Sequence, residues 1–139
     1  MDVFELPVRQ FCPGVFAPIL HQDWSQNSPS NPVERGSIVT FFMTGVGPYD
    51  VPTEDGSQGP LGPPFPLVPQ EVRVIVGEQP AEVLFAGQAP GVIAGVVLLN
   101  VRIPAGLPGP GAYSMTVWVG PRIVLAWNYA TQPFRVYVR

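Results

Sequence analysis

The chain has 139 residues, 46% of them hydrophobic and only 12% charged, with a net charge of −3. That suits one domain, which at this size buries roughly two-thirds of its extended-chain surface. All seven basic residues are Arg, scattered singly at 9, 35, 73, 102, 122, 135 and 139, which argues against nucleic acid as a partner, because phosphate neutralisation needs a clustered basic face.

From the N-terminus, "VFELPVR" (3–9) reads as a strand, with Pro7 favouring an edge or terminal position. Its acidic neighbours occupy the place of a signal peptide's positive n-region, so the chain is either cytoplasmic or a portion whose export signal lies elsewhere. Cys12 is the single cysteine, so no internal disulfide forms. It is either a reactive or bridging thiol or a small apolar residue beside Phe11. "CPGVFAPIL" is followed by a polar loop at 21–36, and then "SIVTFFMTG" (37–45) is β-branched and aromatic without helical spacing.

A Pro/Gly-rich loop occupies 49–69. Beyond it, "EVRVIVG" (71–77) alternates, with Val72, Val74 and Val76 on one face, and "AEVLFAG" (81–87) returns as its hairpin partner. "VVLLNVRIP" (96–104) ends at Pro104. "AYSMTVWVG" (112–120) alternates again, with Tyr113, Met115, Val117 and Val119 facing one way. "RIVLAWNYA" and "FRVYVR" close the chain. Gly (15) and Pro (19) lie between these apolar runs, as turn punctuation does in an all-β protein. The longest apolar run, "VIAGVVLLNV" (92–101), is about half the roughly 20 residues of a membrane-spanning helix, so no membrane insertion is expected. Short strands at regular, turn-bounded spacing predict a sandwich or barrel, and the sandwich is preferred.

"NSPSNPVERGSIVTFFMTGVGP" (27–48) followed by "VRVIVGEQPAEVLFAGQAPGVIAGVVLLNVRIPAGLPGPGAYSMTVWVG" (73–120) resembles the Solibacter-type C-terminal domain of acidobacterial proteins. With "CPGVFAP" and "HQDWSQNSPSNP" upstream, the resemblance covers about residues 12–120. It implies a relation to immunoglobulin-like, early-set modules of the IPT/TIG kind: an immunoglobulin-like β-sandwich of about seven to nine strands. The whole of 1–139 is then one domain, with 1–11 an N-terminal strand or the remnant of a preceding domain. It implies an extracellular or cell-surface setting, and it carries over no catalytic residues. The chain departs from the pattern in having Leu98 beside Leu99 where the family tends to place a polar residue, and in continuing beyond "VWVG". Each departure adds apolar surface for a partner or enlarges the core.

His21 with Asp23 and Ser25 lacks the context of a catalytic triad. One His and one Cys are too few for zinc. Asp23, Asn27, Asp50, Glu54 and Asp55 offer calcium oxygen ligands in loops without an EF-hand pattern. The expectation is therefore a non-enzymatic module with no cofactor, no catalytic residue and no metal. Its expected partners are itself or neighbouring domains of a surface protein, through strand or sheet-edge contacts. Phe4, Leu6, Val8, Leu98 and Leu99 are the candidate assembly contacts. The alternative is a carbohydrate-binding module that binds polysaccharide through exposed aromatics, foremost Trp24, from a set that includes Trp118, Trp127, Tyr49, Tyr113, Tyr129 and Tyr137.

Overall fold

A computed structural model describes residues 3, 5, 12–123, 125–126 and 134–139. Among them there is no helix, and the chain is all-β. The strands are β1 (Gly14–Leu20), β2 (Ile38–Thr44), β3 (Val72–Val76), β4 (Gln79–Gln88), β5 (Val97–Arg102), β6 (Gly111–Val119), β7 (Arg122–Ile123), β8 (Leu125–Ala126) and β9 (Arg135–Val138). The expected strand at 3–9 falls on residues outside the described set.

The strands follow the order β7-β6-β3-β4-β5-β2-β1-β8, with β9 also on β6. All pairings are antiparallel except β1 with β8. The result is one continuous sheet curled into a half-barrel. The expected sandwich has two separate sheets, whereas here β4 belongs to both halves. Its start pairs with β3, at Val74↔Ala81, and the rest pairs with β5 from Glu82 onwards. A bulge between Val83 and Phe85 inserts Leu84 into that ladder, and such an extra residue bends the strand.

Alternation decides which face is inside. Val39, Phe41 and Met43 of β2, Val97, Leu99 and Val101 of β5, Val74 and Val76 of β3, and Met115, Val117 and Val119 of β6 meet in one buried cluster. Phe41 is wholly buried and takes the edge of Phe134 at 5.3 Å between ring centroids. The predicted faces of 72–76 and 113–119 are the observed ones, with Val74, Val76, Val117 and Val119 buried.

The Pro-rich segment leaves β2 through Gly45 and Gly47, both at positive φ (75° and 78°), a conformation that glycine adopts without steric cost. It is then tied down along its length. Gly59 N–H donates to Val92 O, and Gly91 N–H to Gly59 O. Leu67 bridges Gly87 while Gln88 N–H donates to Pro66 O and Val68 N–H to Ala86 O. Residues 66–68 thereby cover the stretch of β4 that β3 does not reach.

Candidate functional site

The outer face of β2, β5 and β4 carries the site. Register stacks three rows across it: Ile38–Arg102–Glu82, Thr40–Asn100–Phe85 and Phe42–Leu98–Gly87. The first row ends in an exposed ion pair, Arg102 Nε to Glu82 Oε2 at 2.9 Å. In the second, Thr40 Oγ1 donates to Asn100 Oδ1 at 2.7 Å. That bond leaves the Asn100 Nδ2 group without a partner among the described residues.

Two loops raise walls over these rows. From the Pro-rich segment, Phe65 sets its ring edge-on against Phe85, 5.7 Å between centroids. From the polar loop comes Trp24, the one non-glycine residue at positive φ among the described residues, at 67°. Holding a bulky side chain in that region costs on the order of 1 kcal/mol. A local turn holds it: Trp24 N–H donates to His21 O, His21 N–H to Ser25 O, and both Ser25 N–H and Ser25 Oγ–H to Asp23 Oδ1 (2.9 and 2.6 Å). The Ser25 hydroxyl bond first, and then the Ser25 amide, keep the Asp23 carboxyl below its ordinary value. Trp24 is nevertheless 62% exposed.

Between these walls lies a cavity of about 390 Å³, floored by Ile38, Thr40, Leu98 and Asn100 and flanked by Leu84 and Gln22. Its size is in the range of small-ligand sites. The bulge explains one wall, since Leu84 and Phe85 are consecutive yet both line the cavity. Gln22 and Ile38 also line a polar recess of about 440 Å³, formed with His21, Asp23, Asn31 and the ion-paired Glu34 and Arg139. The two recesses are neighbours that share Gln22 and Ile38, the first lined by aromatic and apolar side chains and the second by polar ones.

A third recess, about 720 Å³, lies between 47–55 and 94–95. Tyr49 closes it with long bonds, its hydroxyl donating to Val96 O (3.4 Å) and accepting from Gly95 N–H (3.3 Å). Its phenol is raised by burial, against a smaller lowering by the Gly95 bond. Of the calcium-ligand candidates there, Asp50 already accepts from Leu67 N–H at 2.7 Å. Among the described residues no three His, Cys, Asp or Glu side chains are grouped to share a metal ion.

Of the remaining candidates, His21 Nε2 bonds Asn31 O at 3.0 Å, and Ser25 donates to Asp23 directly, so the three do not form a Ser–His–Asp relay. Leu99 is in the core and Leu98 is the groove floor, while Phe4, Leu6 and Val8 lie outside the described residues. Trp118 is half-buried under the Arg73 guanidinium, 5.5 Å from the ring centroid. Tyr113 and Tyr137 are half-buried, and Trp127 and Tyr129 lie outside the described residues. Cys12 is exposed. No described helix is long and apolar enough to cross a membrane. Asn100, Gln22, Phe65 and Leu84 were not site candidates from sequence, since only the register and the folded loops bring them together.

Compared with protein-family models, with curated proteins and with solved structures, the chain has no match.

Proposed function

We propose that the chain is a non-catalytic binding module of the immunoglobulin-like β-sandwich class, working outside the cytoplasm through the Trp24 groove. The strand order supports the class. In an immunoglobulin constant-type domain, strands ABED form one sheet and CFG the other. Here β1-β2-β5-β4 and β3-β6-β7 run in the same two orders, with the second half of β4 in the place of D. The resemblance of 12–120 to the Solibacter-type domain supports the extracytoplasmic setting.

The observation that carries binding is Trp24. A large indole carried on a residue held at positive φ by four hydrogen bonds, and still 62% exposed beside the cavity, contributes little to the core. Strained, presented side chains of this kind cluster at ligand sites. The test is retention of the purified chain, beside Trp24→Ala, on insoluble polysaccharides, immobilised denatured casein and phosphatidylcholine vesicles. Retention on at least one matrix that Trp24→Ala removes is the expected result. Retention nowhere, or equal retention of both proteins, rejects the groove as a binding site.

Self-assembly is the second reading, and one observation favours it. β1 meets β8 only at Gly14 and Val15, so the edge beside Phe16, 39% exposed, carries no strand among the described residues. Such an edge is open to strand addition. Light scattering across a concentration series, with and without residues 1–10, is the check. A monomer at all concentrations removes this reading.

A further inference from the structure

We infer that the groove takes a neutral oligosaccharide, one sugar ring stacked on the Trp24 indole and hydrogen-bonded by the Asn100 and Gln22 amides. This rests on the binding-module reading and names its ligand.

Charge is the first discriminator. Among the described residues no Asp, Glu, Arg or His lines the Trp24 cavity, so this lining offers a charged ligand no counter-charge for lost water. In the adjoining polar recess Glu34 and Arg139 neutralise each other at 2.9 Å, and the Asp23 carboxylate, held ionised by Ser25, repels further negative charge. A polyuronate is therefore disfavoured in both recesses.

Polarity within the aromatic recess is the second. Asn100 Nδ2 and the Gln22 amide have no hydrogen-bond partner among the described residues, yet both line the cavity beside Trp24, Phe65 and Leu98. A purely apolar occupant, such as an acyl chain, strips water from these amides without replacing it, which weakens its binding. A ligand that offers an apolar face to an indole and hydroxyls around its rim satisfies both requirements. A pyranose ring does so.

The third is the nature of the floor. An extended peptide gains affinity by pairing its backbone with a free sheet edge. This groove lies on the face of β2, β5 and β4, whose ladders run Ile38–Met43 to Val97–Arg102 and Glu82–Gln88 to Val97–Arg102. The floor thus presents side chains, without an open ladder. The neighbouring recesses, about 390 and 440 Å³, share Gln22 and Ile38, so a chain of sugar units seated on Trp24 has a second, polar recess beside it.

Affinity electrophoresis through gels containing hydroxyethylcellulose, xyloglucan or galactomannan, with polygalacturonate as the charged counterpart, tests the inference. At least one neutral polymer is expected to retard the chain and polygalacturonate to retard it less. Trp24→Ala is expected to weaken that retardation about tenfold or more, and Trp24→Phe less, because it keeps a stacking face. Gln22 is exposed, so Gln22→Ala leaves the fold intact and reads the hydrogen-bonding role separately, with a loss of several-fold expected. If no neutral polymer retards the chain while retention on casein or vesicles still depends on Trp24, the glycan assignment falls and the binding module stands. If polygalacturonate retards best, the charge argument is overturned. If nothing binds in a Trp24-dependent way, both readings fall together.

Discussion

The Asn27 side-chain amide stands in for a stretch of backbone opposite Tyr137. Its Nδ2 donates to Tyr137 O at 2.8 Å, and its Oδ1 accepts from Tyr137 N–H, also at 2.8 Å. Asn27 is buried, so the Tyr137 N–H depends on it where water does not easily replace it, while Tyr137 O also accepts from Val33 N–H. The adjacent bonds from Val33 N–H to Tyr137 O and from Arg139 N–H to Val33 O complete the attachment of the polar loop to β9. The same loop carries Trp24, so the clamp anchors the groove wall to the end of the chain.

Removing that amide is expected to destabilise the fold. Asn27→Ala leaves the Tyr137 N–H unpaired, a loss of about 2–3 kcal/mol by urea denaturation. Asn27→Asp is the sharper probe, because it keeps the acceptor and replaces the donor with a second acceptor facing Tyr137 O. It is expected to be at least as destabilising as Ala at neutral pH. An Asp variant as stable as the parent removes the clamp from the account.

At Gly87 the Pro-rich segment packs tightly on the sheet. A Cβ there comes within 2.6 Å of Pro66 O, 2.8 Å of Phe85 Cζ and 3.1 Å of Leu67 Cδ2. Gly87→Ala therefore pushes on both the loop and the Phe85 ring that Phe65 packs against, and overpacking of this kind costs about 1–3 kcal/mol. Hydrogen exchange is expected to quicken at Gln88 and Val68, whose amides bond across this contact. Unchanged exchange at both positions means the loop does not need the glycine.

These two sites also separate what the sequence discloses from what it hides. Strands at 72–76 and 113–119 are readable because alternation is a local property of extended backbone, and their buried faces follow from it. The exit through Gly45 and Gly47 is readable for a similar reason, since only local geometry is involved. The tethering of 49–69 is not, because Gly59 to Val92 and Val68 to Ala86 are backbone bonds without a side-chain signature. Trp24 stands out in its loop as an isolated aromatic. Asn100 acquires its place only when register sets it between Thr40 and Phe85, and the clamp joins positions 110 apart in sequence.

The turn that presents Trp24 is expected to be acid-sensitive. Asp23 accepts both Ser25 bonds as a carboxylate, and its folded value is depressed below the ordinary 3.8. A depressed carboxylate contributes stability that is fully present above the ordinary value and is lost as pH falls through the lower folded one. Asp23→Asn keeps an acceptor for Ser25 but does not ionise. Urea denaturation below pH 4 is expected to show the parent losing its advantage over Asp23→Asn. Parallel curves for the two proteins through that range exclude the carboxylate as the holder of the turn.

Tyr49 reports the opposite limb. Burial lifts its phenol above the ordinary value near 10, because the charged phenolate is poorly solvated beside Val96 and Gly95. A raised acid contributes stability that is complete below the ordinary value and disappears as pH rises through the folded one. Ionisation also removes the proton that the hydroxyl donates to Val96 O, while the phenolate still accepts from the Gly95 N–H. Tyr49→Phe retains the ring and removes the ionisation. It is expected to be slightly less stable than the parent at pH 7, and the gap is expected to narrow above pH 10 as the parent loses stability. Amide exchange at Gly95 reads the same contact locally: Tyr49→Phe removes the acceptor of the Gly95 N–H, so exchange there is expected to be faster in the variant than in the parent. A constant gap between the two proteins up to the alkaline transition assigns the loss to other groups and leaves Tyr49 as packing alone.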